Sequence, residues 1–253
     1  MKRLGVLLVL AGLGWAQGDT KKKAPTWTPA PTWKEGQRTA VTLRITKDSQ
    51  LKMSFVVSTI KDVTDCRYEQ LVTAAENGRP IRARRTFSTY DFQRTTDVVL
   101  DGKKRPTRKE RKKHPLAGRT IEVAAKKGAL VPTTEIEGIE IIEDMLGGAD
   151  WLWLLPPKPV RVGESWTVAG DWAYGKMSTA FVIDTVCTLK KLETDLVTFG
   201  FKTDKIVEGT ATFSRKMGRF THVVCKARND QVPKDGGSIT TTYVFTQTMV
   251  KPR

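Results

Sequence analysis

From residue 37 to residue 250 apolar and polar positions alternate with a period of two, interrupted by short polar turns. This pattern constrains the chain more than any motif in it, because side chains at i and i+2 share one face of a strand. In residues 179–189 it puts Phe181, Ile183, Thr185, Cys187 and Leu189 on one face. In residues 239–250 it puts Ile239, Tyr243, Phe245 and Met249 on one face, and Thr240, Thr242, Thr246 and Thr248 on the other. Residues 196–201, 206–213 and 220–227 form the strands between these two. Upstream, residues 40–45 and 51–60 flank a turn expected at Lys47-Asp48-Ser49. Residues 67–75 and 81–90 flank Asn77-Gly78, the strongest short hairpin signal. Residues 98–100 and 120–124 are shorter candidates. Consecutive strands on short connections pair antiparallel. The fold expected is mainly β: an antiparallel, strongly curved sheet forming a half-barrel, barrel or sandwich, with one central helix.

The helix is expected over residues 135–147, where Ile136, Ile139, Ile142 and Leu146 recur near helical spacing ahead of Gly147-Gly148. Leu152, Trp153, Leu154 and Leu155 follow as an apolar knot, then Pro156, Pro157 and Pro159. Three prolines in four residues cannot continue a helix or pair in a central strand. The segment therefore reads as a structural hinge. It joins two halves, 37–134 and 156–253, of a single β-rich domain at 37–253.

Residues 1–16 read as a secretory signal. Met1-Lys2-Arg3 is a positive start, residues 4–13 are apolar, and Gly14-Trp15-Ala16 supplies the small residues of a cleavage site after Ala16. The apolar run falls well short of the roughly 20 residues that cross a bilayer, and no later segment reaches that length. The mature chain is expected to be exported, periplasmic or extracellular, with no transmembrane span. Loss of Lys2 and Arg3 lowers its formal charge from +16 to +14. Residues 17–36, with Pro25, Pro29, Pro31, Trp27 and Trp33, read as an extended Pro/Trp linker, with docking of Trp27 and Trp33 on a partner or on the domain itself as the alternative.

Half of the mature charge sits in residues 102–113, GKKRPTRKERKK. Lys103, Lys104, Arg105, Arg108, Lys109, Arg111, Lys112 and Lys113 oppose a single Glu110, a net of +7. Like charges at this density repel, so a mobile loop is expected. Three uses of it stand open. It can bind an anionic lipid or another polyanion, contact the chain's own acidic stretch (Glu135, Glu137, Glu140, Glu143, Asp144), or serve as a solvated loop. Nucleic acid is disfavoured, because no aromatic residue in the tract can stack on bases.

The chemistry of catalysis is sparse. There is no G-x-S-x-G elbow and there are two histidines, His114 and His222. His222 and Cys225 lie three apart in a strand, on opposite faces, and do not converge on a metal. Export permits disulfides, and Cys187 with Cys225 is the preferred pair, leaving Cys66; three buried free thiols stand as the alternative. No catalytic residue, metal or cofactor is expected.

Residues 155–166, LPPKPVRVGESW, together with Asn77-Gly78-Arg79-Pro80 and Arg84-Arg85-Thr86-Phe87, resemble a group of uncharacterised exported bacterial β-rich proteins. The resemblance covers about residues 66–250 and implies an extracytoplasmic, mainly β protein with no catalytic residues. In outline the fold is also similar to periplasmic carriers that wrap a curved sheet around a lipid. The leading expectation is a non-catalytic binding protein with an apolar or lipid-like ligand in its concavity and a basic loop for anionic surfaces. An envelope scaffold and a secreted hydrolase stand as alternatives.

Overall fold

The computed structural model describes residues 25–126, 129–133, 151–168, 184–203, 207–233 and 236–250. The expected signal segment, the first part of the linker, the acidic stretch and the helix expected at 135–147 lie outside these residues. The strands, in chain order, begin with β1 (Thr26–Trp27), β2 (Arg38–Lys52), β3 (Val56–Glu76) and β4 (Arg79–Leu100). The short β5 (Lys103–Lys104) and β6 (Arg108–Lys113) come next, then β7 (Thr120–Lys126) and β8 (Ala129–Pro132). A 3-10 turn at Leu152–Leu154 leads to β9 (Val160–Arg161) and β10 (Ser165–Val168). The chain ends in β11 (Thr185–Leu192), β12 (Leu196–Lys202), β13 (Val207–Ser214), β14 (Arg219–Gln231) and β15 (Ser238–Val250).

Every pairing among these strands is antiparallel. The main sheet runs β10-β11-β12-β13-β14-β15-β2-β3-β4-β7-β8. Its halves are two meanders within one continuous sheet. The last strand pairs with the first long one along its whole length, from Ser238 opposite Lys52 to Val250 opposite Ala40. The expected barrel or half-barrel does not form: the sheet is open and not strongly curled. Its outermost strands β10 and β8 have 4 residues each, against 22 in β4. Closure needs a tilted, staggered edge-to-edge ladder, and edges of four residues offer little to join.

The turn expected at Lys47-Asp48-Ser49 is also replaced by strand. All three residues pair on both sides, with Tyr243, Thr242 and Thr241 of β15 and with Asp62, Lys61 and Ile60 of β3. Two partner strands outweigh the local turn preference of Asp and Ser. The Asn77-Gly78 hairpin forms where the dipeptide places it, with both residues at positive φ (49° and 71°).

One face of the sheet is apolar, and the β1–β9 pair with its flanking irregular chain covers it. Trp27 packs against Phe199 and Phe213, at centroid separations of 6.2 and 5.7 Å. Trp151 packs against Phe245 (5.3 Å) and donates its indole N–H to Gln247 Oε1 at 2.9 Å. Trp166 donates to the Leu154 carbonyl at 2.9 Å. The proline motif thus clips the Leu152–Leu155 knot onto the sheet and carries β9 out to pair with β1.

The expected linker is, from Pro25 onward, part of the domain: Trp27 and Trp33 are both 3% exposed. The N–H groups of adjacent residues Thr32 and Trp33 donate to the carbonyls of Gly218 (3.2 Å) and Gly78 (3.0 Å). One strap therefore ties the β13–β14 turn to the β3–β4 turn. Buried Arg219 reinforces it, with its guanidinium over the Trp33 ring and a hydrogen bond to Thr39.

Both glycines lie at positive φ, and a Cβ on Gly78 would stand 2.0 Å from the Pro31 carbonyl oxygen. Gly78→Ala must displace the strap, and it should destabilise the protein by about 2 kcal/mol or more. A lowered denaturant midpoint with an unchanged slope would show this. A wild-type midpoint would mean the strap carries no stability.

Candidate functional site

The basic tract is a ribbon, which corrects the expected mobile loop. β5 pairs Lys103 and Lys104 with Leu100 and Val99 of β4. β6 pairs Arg108–Lys113 with Thr96 back to Asp91. The outer edge of β4 thus supplies a backbone ladder. Its own side chains relieve part of the repulsion: Asp91 accepts from Arg111 at 3.4 Å, and Asp97 accepts from Thr107 at 2.5 Å. Pro106 falls between the two strands, where no ladder hydrogen bond is needed.

All eight cations are exposed. Arg111 pairs with Asp91, and Lys112 pairs with Glu110 at 3.6 Å. The other six have no carboxylate partner among the described residues. Alternation along β6 sends Lys109, Arg111 and Lys113 to the face opposite the core, about 7 Å apart. Arg108 and Lys112 lie on the core-side face with Glu110. The ribbon is cationic on both faces and along its edge.

A second feature shows up only in the register. On the core-side face Tyr243, Lys47, Asp62, Arg94 and Glu110 stand opposite one another across five strands. Lys47 lies over the Tyr243 ring, and Arg94 grips Asp62 with two hydrogen bonds of 2.7 and 2.9 Å. The bonded Asp62 carboxylate holds the Arg94 pKa above its usual value, against the opposing effect of burial. This row of alternating charge separates the tryptophan-covered core from the distal end of the sheet. Nothing in the local sequence marks it, because each residue comes from a different strand.

His114 ends the ribbon. Its backbone N–H donates to the Tyr90 carbonyl at 2.8 Å, its ring stacks on Tyr90 at 3.8 Å, and its Nδ1 accepts from the Leu116 N–H at 3.2 Å. Burial lowers its pKa. The unfolded chain takes up a proton as pH falls through about 6.5, and the folded chain does so only at lower pH. The unfolded state therefore binds more protons in that window, and stability falls with pH. His114→Gln should flatten this acid slope between about pH 7 and 5. Urea midpoints across that range check it; a slope equal to wild type would place the titration elsewhere.

The expected Cys187–Cys225 disulfide is excluded by register. Cys187 stands opposite Phe201, Phe201 opposite Gly209, and Gly209 opposite Cys225. Three strand spacings put the two about 14 Å apart, against the roughly 4.4–6.8 Å between Cα atoms that a disulfide spans. Cys66, Cys187 and Cys225 are free thiols, and burial pushes each up to about 12. A thiol reagent at about pH 8 should leave buried Cys66 and Cys187 unmodified in the native protein, modify half-buried Cys225 slowly because its pKa is raised, and reach all three after denaturation. Rapid native reaction would contradict the burial.

The concavity assigned to an apolar ligand is occupied, over the described residues, by Trp27, Trp151, Trp153 and Trp166. An open depression over β13 and β14, lined by Glu208, Gly209, Thr210, Val224, Cys225 and Lys226, has a volume of about 250 Å³. Small-molecule sites usually occupy roughly 300–1,000 Å³. Among the described residues no cluster of His, Cys, Asp or Glu could hold a metal ion. No described helix is long and apolar enough to cross a membrane.

No family model matches the chain, and no curated relative matches it. Among solved structures it is similar to lipovitellin, in a study of lipid–protein interactions, at a TM-score of 0.46 and 8% identity. That alignment covers 87% of this chain and 26% of the lipovitellin chain, so this chain spans about a quarter of it. It is also similar to the translocator domain of the autotransporter NalP from Neisseria meningitidis, at a TM-score of 0.23 and 6% identity. There the alignment covers 84% of this chain and 88% of that one.

Proposed function

We propose that this is an exported, non-catalytic binding protein that docks on anionic lipid head groups through the β5–β6 ribbon. The observation that carries this reading is the set of six exposed cations with no described carboxylate partner, held in order along a sheet edge. A solvated loop would spread such charges over many conformations. Pairing with β4 fixes them, so little entropy is lost when a surface engages them. Lysines on an edge strand also prevent edge-to-edge aggregation. One or two charges suffice for that, whereas every residue of β6 is charged. The apolar contact expected of a lipid-binding protein then falls at the surface of the sheet, since tryptophans fill the described core.

Each cation close to an anionic membrane contributes about 1 kcal/mol, and salt screens the attraction within about 10 Å at 0.1 M. Wild-type protein should therefore float with vesicles containing phosphatidylglycerol and dissociate as salt is raised. It should ignore vesicles of phosphatidylcholine alone. Changing Lys103, Lys104, Arg105, Arg108, Lys109 and Lys113 to Gln should weaken binding more than about a hundredfold. The circular dichroism spectrum should not change. Binding that survives all six changes would refute the reading.

A further inference from the structure

The distal end of the sheet, beyond the charged row, is built from three turns. The β2–β3 turn carries Phe55, which is 61% exposed. The β4–β5 turn lies against it, with the Asp101 N–H donating to the Phe55 carbonyl at 2.9 Å. The β14–β15 turn carries Val232, 83% exposed, and packs by Gly237 against the Lys52 carbonyl. These are the two most exposed large apolar side chains among the described residues. Both sit on turns at one end of the sheet, where a folded chain gains nothing by placing them.

The ends of β3 and β4 behind them are apolar on both faces, and those of β2 and β15 on the core-side face. Leu51, Val56, Val98, Leu100 and Ile239 lie on the core-side face, and Val57 and Val99 on the other, all half-buried. A strand end open to water is expected to be polar on at least one face. Exposed Lys52, Lys103, Lys104 and Arg105 surround this end, with Asp101 as a carboxylate among them. An apolar tip inside a cationic collar is the pattern of a group that enters the boundary between head groups and acyl chains, while its lysines stay with the phosphates. The apolar stretch is about three residues deep, or roughly 10 Å. That matches the roughly 5–10 Å to which interfacial segments sink.

We infer that this end of the sheet inserts into the interfacial layer of an anionic bilayer, with Phe55 as its anchor. The inference deepens the reading of the ribbon as a lipid head-group site and rests on it. The ribbon supplies attraction at a distance. The tip converts surface attraction into partition and sets the orientation, with the corner shared by the distal turns and the β6 edge facing the membrane.

The test uses Phe55→Cys in the full chain, labelled with an environment-sensitive fluorophore. Cys66 and Cys187 are buried, and half-buried Cys225 is changed to Ser in the same chain, so the label goes to position 55. On phosphatidylcholine vesicles containing phosphatidylglycerol the emission should shift to the blue and be quenched by spin labels on the acyl chains. Soluble polyphosphate should cause neither change. Phe55→Asp should weaken vesicle binding by about tenfold or more and leave polyphosphate binding as in wild type. Vesicle-bound protein whose label stays in water, or Phe55→Asp protein that binds vesicles like wild type, would overturn the insertion and leave the ribbon reading standing. Wild-type protein that binds polyphosphate but no vesicle would overturn both.

Discussion

A sheet with one apolar face and no closure depends on whatever covers that face. Here the cover is a set of tryptophans on the N-terminal strap, with its short β1, and on the 151–155 knot, and its fastening is a pair of neighbouring backbone N–H groups. Thr32 and Trp33 reach two turns far apart in sequence, at Gly218 and Gly78, and Arg219 seats the Trp33 ring between them. Each aromatic ring withdraws a large apolar area from water, and the directional bonds determine where that area lies. In a barrel the sheet would cover itself. In an open sheet, the strap and the Leu152–Leu155 knot do that work, with the proline motif holding the knot in place.

This arrangement pushes function outward. Tryptophan side chains fill the described interior, which supports placing the proposed lipid contact at edges and ends. The β4 strand extends past the core on one side of the charged row, and its outer edge is the template for the basic ribbon. The same extension carries the apolar turns away from the covered core. Length beyond the core, unnecessary for packing, is what creates both the ribbon and the tip.

Much of the β architecture was legible in the residues, for local reasons. Asn77-Gly78 adopts positive φ without a partner's help, and the Thr-rich alternation of residues 239–250 assigns faces whatever pairs beside it. The misread elements share one cause. Lys47-Asp48-Ser49 has turn composition but lies between β15 and β3. The basic tract repels itself but lies along β4. Trp27 and Trp33 sit in a proline-rich stretch but find the open face of the sheet. Cys187 and Cys225 share a face, yet two strands stand between them. In each case a long-range pairing overruled a short-range preference.

By itself, then, the sequence determined strand identity, side-chain alternation, antiparallel pairing of neighbours and the concentration of positive charge in one short segment. Those follow from backbone sterics and local spacing, which act within a few residues. Only the tertiary structure decided that the sheet stays open, that β15 closes against β2, and that the cations stand in rank on an edge beside an exposed Phe55. Those depend on strand lengths and register summed over the whole chain, and no window of local sequence contains them.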